Sequence, residues 1–403
     1  MIRIKKGVFA VVLIIAVLCG AAGVYFVEDL GFSTPAGSGK MLSEKEYAQY
    51  EDYLKTYKKA EELKKYVLEN YYIELDEEDV NTGMYRGIFD ATGDIYSYYM
   101  TPEEYEQFMI SMTGEYSGIG ATLAAGDSGY VEVVSPTKGS PAEAAGIRTG
   151  DLILAVDGVE YTGAELDKCA AAIRGDAGTD VTLTMRRGNE TYDLTITRAW
   201  IISKTVEYEM LEPGMGYISL SSFENHSASD FEKALRALEK QGASSFVLDL
   251  RNNPGGFVDV SVEIADMLMN KGTVAYTEDH DKNREYYKTS AGRTEMKYVV
   301  LINEGSASSS EILAAGIKDN SEGLLIGTQS YGKGIIQSIE QLKDGSAVKL
   351  TTMQYFSPSG EVIHGVGISP DIVVELTDDC YSESGELIDD LQLKRAQDIL
   401  RKQ

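Results

Sequence analysis

The chain has 403 residues, with 64 acidic against 37 basic side chains and a formal net charge of -27. That length exceeds one ordinary core, so two or three domains are expected, mostly globular at 43% hydrophobic and 25% charged residues. A surface this acidic repels phosphate backbones and argues against nucleic-acid partners and against a basic patch for anionic lipid heads.

Taken from the N-terminus, Arg3, Lys5 and Lys6 precede an apolar stretch over residues 7–27. Roughly 20 apolar residues suffice to cross a bilayer as a helix. Positive charge before the span and acidic sequence after it put the N-terminus inside and the remainder outside. A cleaved signal peptide is the competing reading, but its apolar core would be shorter, and Ala21, Ala22 and Gly23 make a weak cleavage site. The expectation is a single-pass cell-membrane protein with its main body extracytoplasmic. Residues 31–39, GFSTPAGSG, form a linker. Tyr47, Tyr50, Leu54, Tyr57, Leu63 and Val67 then recur at near-helical spacing, which predicts a long amphipathic helix. It either packs on the body or serves as a homodimerisation arm. Residues 73–113 read as helical and aromatic, with Thr101-Pro102-Glu103-Glu104 as a helix start.

From about 116 to 198 short β runs dominate, at 120–124, 130–134, 152–156, 181–186 and 192–197, with helical pieces near 141–145 and 164–173. This suits a small, partly open β barrel. From about 202 to 378 strands and helices alternate: strands at 216–220, 245–249, 298–302 and 324–327, and helices at 227–241, 258–268 and 308–320. Alternation of this kind predicts a mostly parallel sheet covered by helices, with functional loops at the carboxyl ends of its strands. A last helix is expected over 387–401.

Cys19, Cys169 and Cys380 are too few and too widely spaced for a disulfide framework or a CxxC zinc site. Buried free thiols are expected, and no metal or organic cofactor. The chemistry therefore falls to side chains. In 298-YVVLINEGSASSSEILAAG-316 an apolar strand runs through a serine-rich loop into a helix of small residues. A serine at such a junction sits where unpaired backbone N–H groups favour a developing oxyanion. Ser308-x-x-Glu311 is equally a capping box. The histidines, His226, His280 and His364, lie in turns and solvated loops without a distinctive acid partner, although a spatial triad stays open at this point. A lysine base is the other route, and it needs desolvation to lose its proton. Lys333, in SYGKGIIQS, is flanked by Gly332 and Gly334 and followed by two isoleucines, unlike the lysines of plainly wet segments. Gln337, four residues on, falls on the same side in either strand or helix. In 246-FVLDLRNNPGG-256 a buried strand leads to a turn whose glycines can offer a backbone N–H.

Together LDLRNNPGG, NEGSASSSEI and YGKGIIQ, in that order, resemble the carboxyl-terminal processing, or tail-specific, proteases. YSYYMTPEEYEQF at 96–108 and IHGVGISPD at 363–371 add to the resemblance. PDZ-like features lie between them: SGIGATL, SPAEAAGIRTGDLILAVDG and IRGDAGT. The resemblance runs from about residue 45 to the end. It implies a ClpP/crotonase-like α/β protease core with an inserted PDZ-type β-barrel domain, a helical N-terminal arm and an N-terminal transmembrane helix. The implied segments are 1–30 tip and anchor, 31–40 linker, 41–114 helical region, 115–199 PDZ domain, 200–380 protease core and 381–403 C-terminal helix. It maps the nucleophile to Ser308, the base to Lys333 and an assisting residue to Gln337. Ser309 replaces the more usual alanine. The oxyanion donors are mapped to the backbone N–H groups of Ser309 and of Gly255, in preference to Gly256.

In the PDZ reading, Ser117, Gly118, Ile119 and Gly120 hold a terminal carboxylate, and the substrate tail adds as a strand beside 120–123. Arg174 is a candidate link between PDZ and protease, against the plainer reading of a salt-bridged surface arginine. The expected activity is cleavage of extracytoplasmic proteins with flexible, apolar C-termini. Two rivals from other classes are a membrane-tethered PDZ adaptor with an inert protease-like body and an acyl-transfer enzyme for small thioesters.

Overall fold

The computed structural model describes residues 43–402 apart from 127, 291 and 383. The expected membrane span, the linker and Cys19 lie outside them. Among the described residues no helix is long and apolar enough to cross a membrane.

The chain divides into two compact units, Met1–Asn81 and Thr82–Gln403. In the first, α1 (Glu44–Asn70) carries the tyrosine-rich stretch with Tyr50, Tyr53, Tyr57 and Tyr66 exposed. Its Lys64 reaches Glu77 at 2.6 Å. The division falls inside α2 (Glu77–Asp90), well before residue 114, because the segment that follows is built into the second unit. There β1 (Tyr98–Met100) pairs with a strand of the body, in a region expected to be helical throughout. The helix α3 (Pro102–Thr113) starts where expected. Glu104 N–H donates to Thr101 Oγ1 at 3.3 Å and Thr101 N–H to Glu104 Oε2 at 3.0 Å, a reciprocal capping box.

The inserted domain enters on β2 (Glu115–Gly118). Its further elements are β3 (Ala121–Ala125), β4 (Val131–Pro136), α4 (Pro141–Ala144), β5 (Leu152–Val156), β6 (Val159–Glu160), α5 (Leu166–Ile173), β7 (Asp180–Arg187) and β8 (Glu190–Thr197). It leaves on β9 (Ala199–Ile202), which pairs antiparallel with β2, so entry and exit strands form one ribbon. The sheet runs β3-β4-β5-β7-β8 with β6 on β5. Of the expected partly open barrel, the described residues show an open sheet with β3 as an edge. Val131, Val133, Ile153, Leu183 and Met185 from alternate strand positions fill its core with Cys169 and Ile173 of α5.

In the α/β body β10 (Val206–Glu212) and β11 (Met215–Leu220) form a hairpin. The helix α6 (Ser227–Lys240), β12 (Ser245–Asp249), α7 (Val258–Leu268), β13 (Thr273–Asp279), β14 (Arg284–Lys288), β15 (Lys297–Ile302), α8 (Ser309–Asp319) and β16 (Leu324–Gly327) follow. The chain continues through β17 (Ile335–Gln341), β18 (Ala347–Phe356), β19 (Ile372–Val373) and α9 (Leu391–Leu400). The central sheet has the order β10-β11-β12-β15-β16-β19, parallel from β11 onward. Its strands are apolar on both faces: Phe246, Leu248, Val300 and Ile302 face α6, α7 and α8, while Val247, Val299 and Leu301 face α9. The small residues of α8 allow close packing; a Cβ on Gly316 would lie 2.9 Å from Val274 Cγ1.

Simple alternation did not reveal a second, antiparallel sheet, β1-β18-β13-β14 with β17 on β18. It sets residues 98–100 and 335–341 on either side of β18.

Candidate active site

The loop from β15 into α8 carries four serines within five residues, and the structure separates their roles. Ser306 donates to the Leu250 carbonyl at 2.7 Å, Ser309 to the Gly256 carbonyl at 2.8 Å and Ser310 to the Asn253 carbonyl at 3.0 Å. All three are fully buried and stitch this loop to the NNPGG turn after β12. Ser308 instead lines a cavity of about 330 Å³. It is the N-cap of α8 with φ 54° and ψ −116°, a strained conformation for a side-chain-bearing residue. Its N–H donates to Glu311 Oε2 at 2.9 Å, and its carbonyl accepts from Ile312 N–H at 3.0 Å and from the Tyr355 hydroxyl at 3.1 Å. Backbone bonds thus hold the strain and aim the hydroxyl into the cavity.

Lys333 lines the same cavity, in the segment between β16 and β17. Gly332 and Gly334 are there for close approach: a Cβ on Gly334 would lie 2.3 Å from the backbone N of His364, so the GKG and IHGVG segments pack backbone to backbone. Tyr331 N–H bonds the Ser306 carbonyl at 3.0 Å, and the Tyr355 hydroxyl reaches the Lys333 carbonyl as well as that of Ser308. The fully buried Glu311 completes the link. It accepts from Ser330 Oγ (2.5 Å) and from the N–H groups of Gly332 (2.7 Å), Lys333 (2.8 Å) and Ser308 (2.9 Å). The Lys333 ammonium lies 4.7 Å from the ring centroid of Tyr96. Burial lowers its pKa, and the nearby charge of Lys349 lowers it further; Asp94 and Glu311 oppose this without reversing it.

Gln337 is in the cavity too, but not through an unbroken strand repeat. Lys333 precedes β17, and the register shifts between Ile336 and Gln337. Gln337 donates its amide to Thr351 Oγ1 at 3.1 Å, and Thr351 donates to Asp94 Oδ2 at 2.6 Å. Burial alone would raise Asp94, but hydrogen bonds from Ser97 and Thr351 outweigh it and hold its pKa below the ordinary value.

The glycine assignment is corrected. Gly255 N–H is donated to Asn253 Oδ1 at 2.9 Å and is already spent. Gly256 N–H and Ser309 N–H are in no hydrogen bond among the described residues. Gly255 has a different necessity: with φ 103°, a Cβ there would lie 2.8 Å from both the Ala307 carbonyl and Ser308 Cβ.

None of the histidines lines this cavity. His226 caps α6 and lies 2.7 Å from the Ser203 carbonyl, and His364 sits in the turn against Gly334. Cys169 and Cys380 are buried free thiols.

In the inserted domain, Gly118, Ile119 and Gly120 line a groove of about 220 Å³ between the β3 edge and α5, with Leu123, Ala170 and Ile173 as apolar walls. The carbonyls of Ile119 and Gly120 are spent on Ala142 N–H (2.8 Å) and Thr137 N–H (2.9 Å). Ser117 does not line the groove; it pairs with Trp200 in the β2–β9 ribbon, and its hydroxyl is buried without a partner. Arg174 caps α5 at the groove. Its guanidinium donates to Gln107 on α3 and lies 5.8 Å from the Tyr116 ring centroid. It is bound to a helix whose Phe108, Ser111 and Met112 line the Ser308 cavity, so the salt-bridged surface arginine weighed from the sequence is replaced by an interdomain contact.

Sequence reading missed Asp94, Tyr96, Lys349, Thr351 and Tyr355. The β-branched and aromatic residues of AVKLTTMQYF suit a strand, yet only the fold shows which of its faces meets Lys333.

A serine on a strained turn thus shares one cavity with a desolvated lysine on an α/β body, and the N–H groups of Gly256 and Ser309 are unspent. The match to known families narrows this: residues 214–374 match peptidase family S41 and residues 132–187 match the PDZ domain. The chain contains a region similar to peptidase family S41 and, ahead of it, one similar to PDZ domains. It is 36% identical over 321 residues to a probable CtpA-like serine protease of Staphylococcus aureus (strain COL), covering 79% of this chain and 64% of that protein. A protein of the same description from Staphylococcus epidermidis is also 36% identical, with 79% and 65% covered. The chain thus spans a little under two thirds of these relatives. Among solved structures it is similar to a photosystem II D1 C-terminal processing protease, at 29% identity and a TM-score of 0.48 over 78% of this chain and 86% of that one.

Proposed function

We propose that the protein is a serine endopeptidase that cleaves extracytoplasmic proteins near their C-terminus through Ser308 and Lys333. One observation carries this reading: of four clustered serines, three spend their hydroxyls inside the fold, while Ser308 opens on the cavity that holds a lysine of lowered pKa. Neutral Lys333 takes the proton from Ser308 Oγ as that oxygen attacks a peptide carbonyl. The N–H groups of Ser309 and Gly256 stabilise the oxyanion. The amine leaves with the proton from Lys333, and water, deprotonated by Lys333, releases the acyl group. Gln337, set by Thr351, orients the lysine amine.

The substrate tail binds as a strand along β3, its carboxylate at Gly118, Ile119 and Gly120 and its apolar side chains in the groove. Arg174 couples occupancy of that groove to α3 and hence to the cavity. The apolar stretch at 7–27 supports a membrane anchor with the body outside, and the tyrosines of α1 support a homodimerisation arm.

The test uses the protein beginning near residue 39, its Ser308→Ala variant, and an unstructured protein with an apolar tail, free or amidated. Mass spectrometry should find cleavage by the parent alone, faster with the free carboxyl. Cleavage by both forms would remove Ser308 as nucleophile. Binding of the free tail without cleavage by the parent would favour the adaptor reading.

A further inference from the structure

The active-site cavity holds a second lysine that this reaction scheme does not use. Lys349 lies on β18 opposite Tyr98 of β1, two residues before Thr351 and therefore on the same face of the strand. Its ammonium is 5.0 Å from the ring centroids of both Tyr98 and Phe108, and it donates to the Tyr98 hydroxyl at 3.4 Å. It lines the cavity together with Ser308, Lys333 and Gln337. We propose that Lys349 is a positioning residue of the peptidase site, whose ammonium, wedged between Tyr98 and Phe108, opposes protonation of Lys333. This rests on the reading of Lys333 as the base.

The surroundings of the two amines differ in a way that assigns the proton. The Lys333 amine lies over the Tyr96 ring, whose hydroxyl is 3.3 Å from that of Tyr331, and within the fields of Asp94 and Glu311, while the Tyr355 hydroxyl bonds the Lys333 backbone carbonyl. Glu311 is saturated by four donors, and Asp94 is bound by Ser97, Thr351 and the Tyr96 N–H, with His364 also within its field. Lys349 faces two aromatic rings, the Tyr98 hydroxyl, whose own neighbour is Glu104, and Asp94. Among the described residues neither lysine forms an ion pair with a carboxylate. Two unpaired ammonium groups in one partly buried cavity repel, so one gives up its proton more readily. Ring faces stabilise a cation, and Lys349 has two against one for Lys333. Burial lowers both amines and Asp94 pulls both back up; Lys333 alone carries the further lowering from the charge of Lys349, which Glu311 partly offsets.

The experiment compares the parent with Lys349→Met and Lys349→Arg. One readout is the pH profile of kcat/KM. The other, in a Ser308→Ala background, is the pH dependence of Lys333 acetylation by acetic anhydride, read by mass spectrometry without any turnover. Lys349→Met should raise the Lys333 labelling midpoint and the acid limb of activity together, by roughly one pH unit, the scale of a like charge in such a site. Activity at high pH should stay within about threefold, and Lys349→Arg, which keeps the charge, should restore the parent midpoint. An unmoved labelling midpoint in Lys349→Met would overturn the proposal and leave the base assignment standing. A moved labelling midpoint with an unmoved activity limb would show that Lys349 acts on Lys333 while Lys333 is not the base. Circular dichroism of both variants separates these results from misfolding, and a Lys349→Met variant that lost its fold would be replaced by Lys349→Gln in the same two assays.

Discussion

Glu311 offers the sharpest perturbation of this site, because one carboxylate holds both halves of it. Its Oε1 takes Ser330 Oγ and Gly332 N–H, and its Oε2 takes Ser308 N–H and Lys333 N–H, all within 2.5–2.9 Å in a fully buried place. Replacement by alanine strands four donors, three of them backbone N–H groups that have no other acceptor among the described residues. Each stranded buried donor costs about 1–3 kcal/mol. Even at the low end the sum is about 4 kcal/mol, against a total stability of roughly 5–15 kcal/mol for a domain. Glu311→Ala should therefore express poorly. Glu311→Gln keeps one acceptor oxygen but turns an NH₂ group toward two donors, and should cost about 2–6 kcal/mol by the same arithmetic. In Glu311→Gln one oxygen serves either the Ser308 and Lys333 N–H pair or the Ser330 and Gly332 pair, so the tether between the two segments is weakened. In urea titration and steady-state assays at a temperature where the variant is folded, kcat should fall at least tenfold. The affinity of an isolated apolar tail peptide should stay within twofold of the parent, since that groove lies in the inserted domain. A Glu311→Gln protein with a stability loss under about 0.5 kcal/mol and kcat within twofold of the parent would refute the reasoning.

Other consequences follow from the same geometry. Because a lysine of lowered pKa must be neutral to accept a proton, activity should rise with pH through that lowered value and be lost in acid; a profile flat down to pH 5 would contradict the lysine base. Gly255→Ala should abolish cleavage, since φ 103° and the 2.8 Å approach to Ser308 Cβ leave no room for a methyl group. Peptide binding to the inserted domain, followed by fluorescence anisotropy, should survive that change. Gly120→Ala should do the reverse and weaken tail binding at least tenfold, because its Cβ would lie 2.5 Å from that of Ser140 at φ 76°. Arg174→Ala should leave tail affinity within a few-fold of the parent and remove the advantage of a free over an amidated tail in cleavage, because the Gln107 contact is lost.

Much of this site was legible in the sequence, for definable reasons. The parallel strands 245–249 and 324–327 and the helix 258–268 were read with their observed bounds, because a strand buried on both faces is a continuous apolar run and an amphipathic helix keeps its period. Ser308, Lys333 and the NPGG turn announced themselves by glycine and serine at strand ends. How open the expected partly open barrel is could not be read, because strand count does not report closure, which depends on whether β3 and β8 meet. Gly255 was preferred over Gly256 because sequence shows that a glycine turn has spare N–H groups but not which one a neighbouring Asn253 side chain has taken. Lys349 was invisible for a related reason. In VKLTTM it is an ordinary strand lysine, and only the pairing of β18 with β1 and β17 puts it in the cavity.

The central claim is that Ser308, and no other serine of the cluster, is the nucleophile made reactive by Lys333. A fluorophosphonate probe tests it most directly, since it bonds covalently only to an activated hydroxyl and leaves a mass tag at one residue. Peptide mapping of the parent protein should find the tag on Ser308 alone, with labelling increasing from acid to alkaline pH and absent in Lys333→Met. A tag on Ser306, Ser309 or Ser310, or labelling of Ser308 undiminished in Lys333→Met, would contradict the account.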